Sequence, residues 1–166
     1  AVEKGVRQIE MNLNRAFRPD DELTMAEKQT YEYRRSRELV PVLRASEAVL
    51  DIHSSGSKIS PPFIISEPLG WQAARALNFP IVSSGWTKLE PGGTDDFMNR
   101  LGRVGLCVEC GYHDDPQSIV RAEEAIKNFL AFFNLIEQSP ASPQPVRFIP
   151  VKSIYQTKYN FKPTRE

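Results

Sequence analysis

Two cysteines, two histidines and no surplus of either charge limit what this chain can do. Lysine plus arginine and aspartate plus glutamate each number 21, so no overall field draws the chain to nucleic acid or to an anionic membrane. No apolar run reaches the ~18 residues that a membrane span needs, and the opening residues lack a secretory pattern. Cys107 and Cys110 have C-x-x-C spacing. However, 104–110 reads as a strand, on which residues three apart face opposite sides. Two thiols pointing apart neither chelate one ion nor bridge, so they are expected to be small buried hydrophobes in a reducing, cytoplasmic setting.

What is present suits an ordinary folded domain. With 40% hydrophobic and 25% charged residues in a chain of 166, one domain with a proper core and a short tail is expected. Ala48-Val49-Leu50-Asp51-Ile52-His53 reads as a short buried strand that delivers one histidine into a loop at its carboxyl end, where open parallel sheets keep their sites. Ahead of it, residues 7–19 form a loop rich in arginine and asparagine. Asp20-Asp21 offers an N-cap for a helix over 22–39. Its inward face is Met25, Tyr31 or Tyr33, and Leu39, its wet face Arg34, Arg35 and Arg37, and Pro41 closes or kinks it.

Further strands are expected at 61–66, 80–84 and 104–109, and short helices at 69–77 and from Thr94 or Asp95 to 101. In the first of these helices Trp71 and Ala74 are the expected core contacts. Asp115-Pro116 opens a helix with Ile119, Ala122, Ile126, Phe129, Leu130, Phe133 and Ile136 as an apolar stripe. Strands alternating with helices predict an α/β domain over 1–138, three αβα layers around a mostly parallel or mixed sheet. A proline-rich linker at 139–146 would lead to the start of a β-rich module at 147–166.

The arginine loop, His53 and Glu109 fall at positions that a parallel sheet brings to one edge. A histidine, a strand-end carboxylate and guanidinium groups are the parts needed to hydrolyse an amide beside a carboxylate. The histidine would help hold Zn²⁺, Glu109 would move the proton, and the guanidinium groups would grip the carboxylate. Ser54 or Ser55 with His53 and Asp51 makes a poor serine hydrolase, because neighbours on one strand cannot present nucleophile, base and orienter to each other.

Asn14-Arg15 within Leu13-Asn14-Arg15-Ala16-Phe17, then Asp51-Ile52-His53, then Val108-Glu109-Cys110-Gly111, in that order, resembles the succinylglutamate desuccinylase/aspartoacylase family. These are zinc-dependent amidohydrolases on the zinc carboxypeptidase fold, and the resemblance covers about residues 7–138. It implies that His53 is a zinc ligand, that Asn14 and Arg15 bind the substrate carboxylate, and that Glu109 activates water. It also implies that Arg7 polarises the scissile carbonyl, and Arg100 lies near another substrate arginine of the family. Asp51 either orients His53 or serves a cap or turn. The implied substrate is a small N-acyl amino acid or related carboxylate, with no nucleic-acid or membrane partner.

The family's first two zinc ligands come from an upstream His-x-x-Glu motif. Here Gly56 stands three residues after His53 and Pro116 three after His113, and His113 reads as an ordinary surface or capping residue. The remaining ligands are therefore expected upstream of Ala1, so that the chain alone would hold zinc weakly and be inactive. The other reading is a metal-free carboxylate-binding module or structural remnant of the same fold.

Overall fold

The computed structural model describes residues 5–6, 8–138 and 145–154. Five runs of extended chain make one sheet: β1 (Ala48–Ser55), β2 (Phe63–Ser66), β3 (Ile81–Ser84), β4 (Val104–Tyr112) and β5 (Arg147–Pro150). The order across the sheet is β1-β4-β2-β3-β5. β1 runs parallel to β4, and β2 and β5 run parallel to β3, while β2 is antiparallel to β4. The most buried strand, β4, is thus enclosed, and β1, which carries Asp51 and His53, takes an edge.

The two-residue alternation of the strands sorts their side chains between two helical layers. Ile64, Val82, Leu106, Val108 and Cys110 face α3 (Trp71–Ala76) and α6 (Pro116–Phe132), where Ala73, Ala74, Leu77 and Ala125 complete a buried core. Each buried valine, leucine or isoleucine among them contributes roughly 1.5–3 kcal/mol by leaving water. Val49 faces the other layer, which α2 (Tyr31–Ala45) and α5 (Thr94–Arg100) build with Leu39, Leu43, Phe97, Met98 and the loop residue Phe17. Asp51 and His53 follow Val49 at steps of two, and Cys107 and Glu109 alternate with the core residues of β4. All four therefore belong to the α2/α5 face. The layered α/β architecture is the one expected.

The helices differ in detail from their sequence pattern. Instead of one helix over 22–39, a 3₁₀ turn at Asp20–Glu22 is followed by α1 (Met25–Lys28) and then α2. The caps are Thr24 and Thr30: Thr24 forms a reciprocal capping box with Glu27, and Thr30 accepts from the Tyr33 N–H at 3.2 Å. Met25 is 72% exposed. The inward side of α2 is instead Leu39, Val40 and Leu43, with the buried Glu32 and Ser36. Packing on that side carries α2 past Pro41 to Ala45 despite the proline's cost. Arg37 does not lie on the wet face; it donates to the Ala16 and Arg18 carbonyls.

In α6, with Asp115 as cap and Pro116 at its first turn, Ala122, Phe129 and Phe133 pack inward as expected, but Ile119 and Ile126 are exposed. The buried Ser118, Ala125, Asn128 and Ala131 define the inner face. Ala74 is buried, whereas Trp71 is only partly covered, its ring 4.8 Å from that of Phe148. β5 pairs with β3, so residues 147–150 belong to this sheet rather than to a separate one. The expected strand at 155–161 and most of the linker lie outside the described residues.

α1 also steadies the loop before β1. Arg18 pairs with Glu27 at 2.5 Å and donates through Nε to the Arg15 carbonyl at 2.8 Å. The Thr24 N–H and the Arg18 guanidinium hold the Glu27 carboxyl down at about 2. Its stabilisation is therefore complete above the ordinary unfolded value near 4.3 and is lost as pH falls from there toward about 2. Thr24→Ala is expected to cost about 1 kcal/mol at pH 7 by denaturant unfolding, with the difference from the parent narrowing in acid. A gap that stays constant down to pH 2 would speak against this linkage. Gly105→Ala is expected to cost about 1–3 kcal/mol, because its Cβ would sit 2.2 Å from the Asp95 carbonyl oxygen; an unchanged denaturation midpoint would refute that close approach.

Candidate active site

The register of three strands lays two rows of side chains across the α2/α5 face. His53 of β1 pairs with Glu109 of β4, which pairs with Phe63 of β2; one step inward, Asp51, Cys107 and Ile65 form the second row. His53 does not emerge into a loop as the sequence suggests, since β1 continues through it to Ser55. The imidazole is therefore carried by a paired strand, which fixes its position more firmly than a loop does.

The segment before α1 closes over this row. The buried Glu32 accepts from the backbone N–H groups of Ile9, Glu10 and Met11 at 2.6–3.3 Å. Burial works to raise its pKa, but these donors outweigh it and hold the carboxyl below its ordinary value. A 3₁₀ turn, Leu13–Arg15, follows, and Asn12 caps it by accepting from the Asn14 N–H at 3.0 Å. Gly92, at φ +99°, is pressed so close to Arg15 that a Cβ there would lie 2.8 Å from its carbonyl carbon. Asn14 and Arg15 are thus fixed from two sides.

Asp51 is the hub of the resulting network. Its Oδ2 accepts from Asn14 Nδ2 at 3.0 Å and from Thr94 Oγ1 at 2.7 Å, and its Oδ1 lies 3.1 Å from His53 Nε2. Asn14 Nδ2 is also 3.0 Å from His53 Nε2. Protonated, that nitrogen donates to Asp51; unprotonated, it accepts from Asn14. The Asp51 hydrogen bond holds the imidazole pKa above the ordinary histidine value against the opposing effect of burial, and the charges of Asp51, Glu109 and Asp95 add to the rise. Burial pushes the Asp51 carboxyl up, but His53, Thr94 and Asn14 together hold it below its usual range.

Glu109 is half-buried, and its Oε2 is buried without a hydrogen-bond partner among the described residues. One ligand atom each from His53, Cys107 and Glu109 lies within 4.8 Å of the others. Nitrogen, sulfur and carboxylate oxygen are the donor types that zinc takes, and an acceptor oxygen held in the protein with nothing to accept from suits a cation. These residues fit part of a zinc site. Cys107 is free and buried, as expected, and burial pushes its thiol pKa strongly up. Cys110 faces the α3/α6 core instead, as the alternation requires.

Around this row lies a cleft of about 570 Å³ lined by Asn12, Asn14, Asp51, His53, Glu109 and His113. It shares Asn12, Asn14, His53 and Glu109 with a slot of about 160 Å³ that adds Arg15, Trp86 and Asp95. The sequence-derived set His53, Glu109, Asn14 and Arg15 is thus brought together. Arg15 pairs with Glu90 and donates to the Asn14 carbonyl at 2.6 Å. Arg100 is not part of the site: at the last turn of α5 it pairs with Asp96 at 3.1 Å and Glu22 at 3.0 Å and lines neither cavity. An acid four residues earlier on its own helix claims it. Arg7 lies outside the described residues. His113 is exposed and bonds Ser54 Oγ at 2.7 Å, the surface residue expected. Sequence reasoning missed the contacts of Glu90 and Thr94, which no local pattern marks, and the placement of Cys107 within reach of His53 and Glu109, for which its two-residue offset from Glu109 was the one signal.

Comparison with known proteins bears on the family and the fold. Residues 1–133 match the succinylglutamate desuccinylase/aspartoacylase catalytic domain. The N-alpha-acetyl-L-2,4-diaminobutyric acid deacetylase of Halomonas elongata is 30% identical over 158 residues, covering 87% of this chain and 45% of that protein. The crystal structure of a succinylglutamate desuccinylase/aspartoacylase from Rhodobacter sphaeroides superposes with a TM-score of 0.72 at 20% identity, over 92% of this chain and 49% of that one. The product-bound ectoine utilization protein EutE (DoeB) of Ruegeria pomeroyi superposes with a TM-score of 0.62 at 23% identity, over 90% and 48%. The chain spans about half the length of these relatives. A five-stranded α/β sheet that sets a histidine beside a glutamate, and a family match over most of the sequence, place this chain in the succinylglutamate desuccinylase/aspartoacylase family.

Proposed function

We propose that the protein carrying this chain is a zinc-dependent deacylase that hydrolyses the amide bond of a small N-acyl amino acid. The observation that carries this reading is the pairing of His53 with Glu109 across β1 and β4, with one buried Glu109 oxygen left without a partner among the described residues. The name of the 30% identical relative, a deacetylase of an N-acetylated amino acid, supports the substrate class.

His53 would hold the zinc, and with Asp51 occupying Nε2, Nδ1 is the ring nitrogen left for it. Cys107 and Glu109 lie within reach of the same position. Zinc, when bound, makes water more acidic and polarises a carbonyl. Glu109 takes the proton from the attacking water at its carboxylate and passes it to the leaving nitrogen, so that amide and water give a carboxylic acid and a free amine. Arg15 grips the substrate carboxylate by charge-assisted hydrogen bonds, which requires the guanidinium to share or exchange its present partner Glu90. Asn14 joins in that grip and also holds Asp51 and His53 in place. Arg7 is assigned to the scissile carbonyl.

Two substitutions test the roles separately. Glu109→Gln is expected to lower kcat by about 10²- to 10⁴-fold with substrate affinity little changed, measured by steady-state hydrolysis of N-acetyl amino acids and by binding to the variant. Turnover that survives this change would remove Glu109 as the base. Arg15→Ala is expected to raise KM by roughly ten- to a hundredfold and to move kcat less, because the contact exists before and during reaction. A fall confined to kcat would contradict the assignment. Carboxylate binding with no hydrolysis by the zinc-loaded parent protein would favour a binding module instead.

A further inference from the structure

Arg15 and Glu90 line both the inner slot and an outer cavity of about 480 Å³, so their ion pair stands in the wall between the two. Backbone contacts fix the place of Glu90. The one-turn helix α4 (Trp86–Leu89) closes with the Glu90 N–H donating to the Trp86 carbonyl at 2.7 Å. Two residues on, the Gly92 N–H donates to the buried Asp96 carboxylate at 2.8 Å. The Gly92 carbonyl accepts from the Phe17 N–H at 3.2 Å. The turn that carries Glu90 is thus tied both to α5 and to the loop that carries Arg15.

A carboxylate in this position can brace the guanidinium or compete for it. Arg15 has braces of its own. Gly92 packs on its backbone, Arg18 Nε donates to its carbonyl at 2.8 Å, and its Nη1 donates to the Asn14 carbonyl at 2.6 Å. Glu90 takes Nη2. A substrate carboxylate needs paired guanidinium donors, and here it meets a cation already held by a group like itself. Two carboxylates crowded on one half-buried cation repel each other. Turned away, the Glu90 side chain has the outer cavity before it, where Arg18 is part of the lining. A tethered carboxylate competes at high effective concentration. It lowers the apparent affinity of a free one in proportion to the time it holds the guanidinium.

We infer that Glu90 is a built-in competitor of the substrate carboxylate for Arg15, a specificity-determining residue that sets how tightly the cleft holds acids. Neutral ligands, which make no claim on the guanidinium, are unaffected by it. The inference rests on the carboxylate-binding role proposed for Arg15, and not on hydrolysis or on zinc.

The test is binding to the whole protein that carries this chain, by isothermal titration calorimetry. The probes are L-norvaline, which keeps the carboxylate and has no acyl group to lose, and L-norvalinamide, in which the carboxylate is neutralised. Glu90→Gln is expected to tighten L-norvaline about three- to thirtyfold and to leave L-norvalinamide within about twofold. Adding Arg15→Ala should abolish the gain, because the two side chains act on one contact. The KM for Nα-acetyl-L-norvaline should fall by the same factor as the L-norvaline dissociation constant. Glu90→Ala serves if the first variant does not fold.

Weaker or unchanged L-norvaline binding by the Glu90 variant would overturn the inference and make Glu90 a brace. An equal gain on both probes would also overturn it, since the cleft would merely have opened. If Arg15→Ala alone leaves L-norvaline binding unchanged, the carboxylate-binding role of Arg15 falls and the inference with it. If Arg15→Ala weakens L-norvaline while Glu90→Gln does not tighten it, only the inference falls.

Discussion

The parallel pairing of β1 with β4 is the constraint on which the rest of this structure depends. It places Asp51 beside Cys107 and His53 beside Glu109 on one face of the sheet, at the point where the apolar packing of Val49, Phe97 and Met98 gives way to the cleft. A slip of one residue would turn His53 and Asp51 toward the opposite layer. The core residues on the alternating positions, Leu50, Leu106 and Val108, penalise that slip. The same apolar burial that stabilises the domain therefore sets the chemistry.

Around that row the electrostatics are unbalanced in a way that asks for a cation. Asp51, Asp95 and Glu109 gather near one imidazole, and the Asp51 contact and the nearby negative charges raise its pKa. Asp51 is satisfied by His53, Asn14 and Thr94. One oxygen of Glu109 has no partner among the described residues. A bound metal at His53 would offset part of this charge.

The sequence carried the layered fold and the key pair clearly, because strand alternation and the order of the elements are strong signals. The apolar run 48–50 and the β4 pattern identify the faces, and a histidine and a glutamate at corresponding strand positions follow. Other features depend on contacts that no local pattern reveals. Thr24 and Thr30, rather than Asp20-Asp21, cap the helices, since several polar residues compete for that role. Asp96 and Glu22 hold Arg100 away from the cleft. Glu32 looks like any surface acid of a helix, yet it is buried as the anchor of residues 9–11. The apolar side of α6 is offset from the one that its isoleucines suggest, because burial follows the sheet it packs on rather than the helix alone.

The most direct measurement is anomalous scattering at the zinc edge from crystals of the whole protein grown with zinc. If β1 and β4 build a hydrolytic centre, a peak lies in the cleft against the His53 imidazole, within the group that includes Glu109. Zinc bound elsewhere, with His53 engaged only by Asp51 and Asn14, would contradict the account.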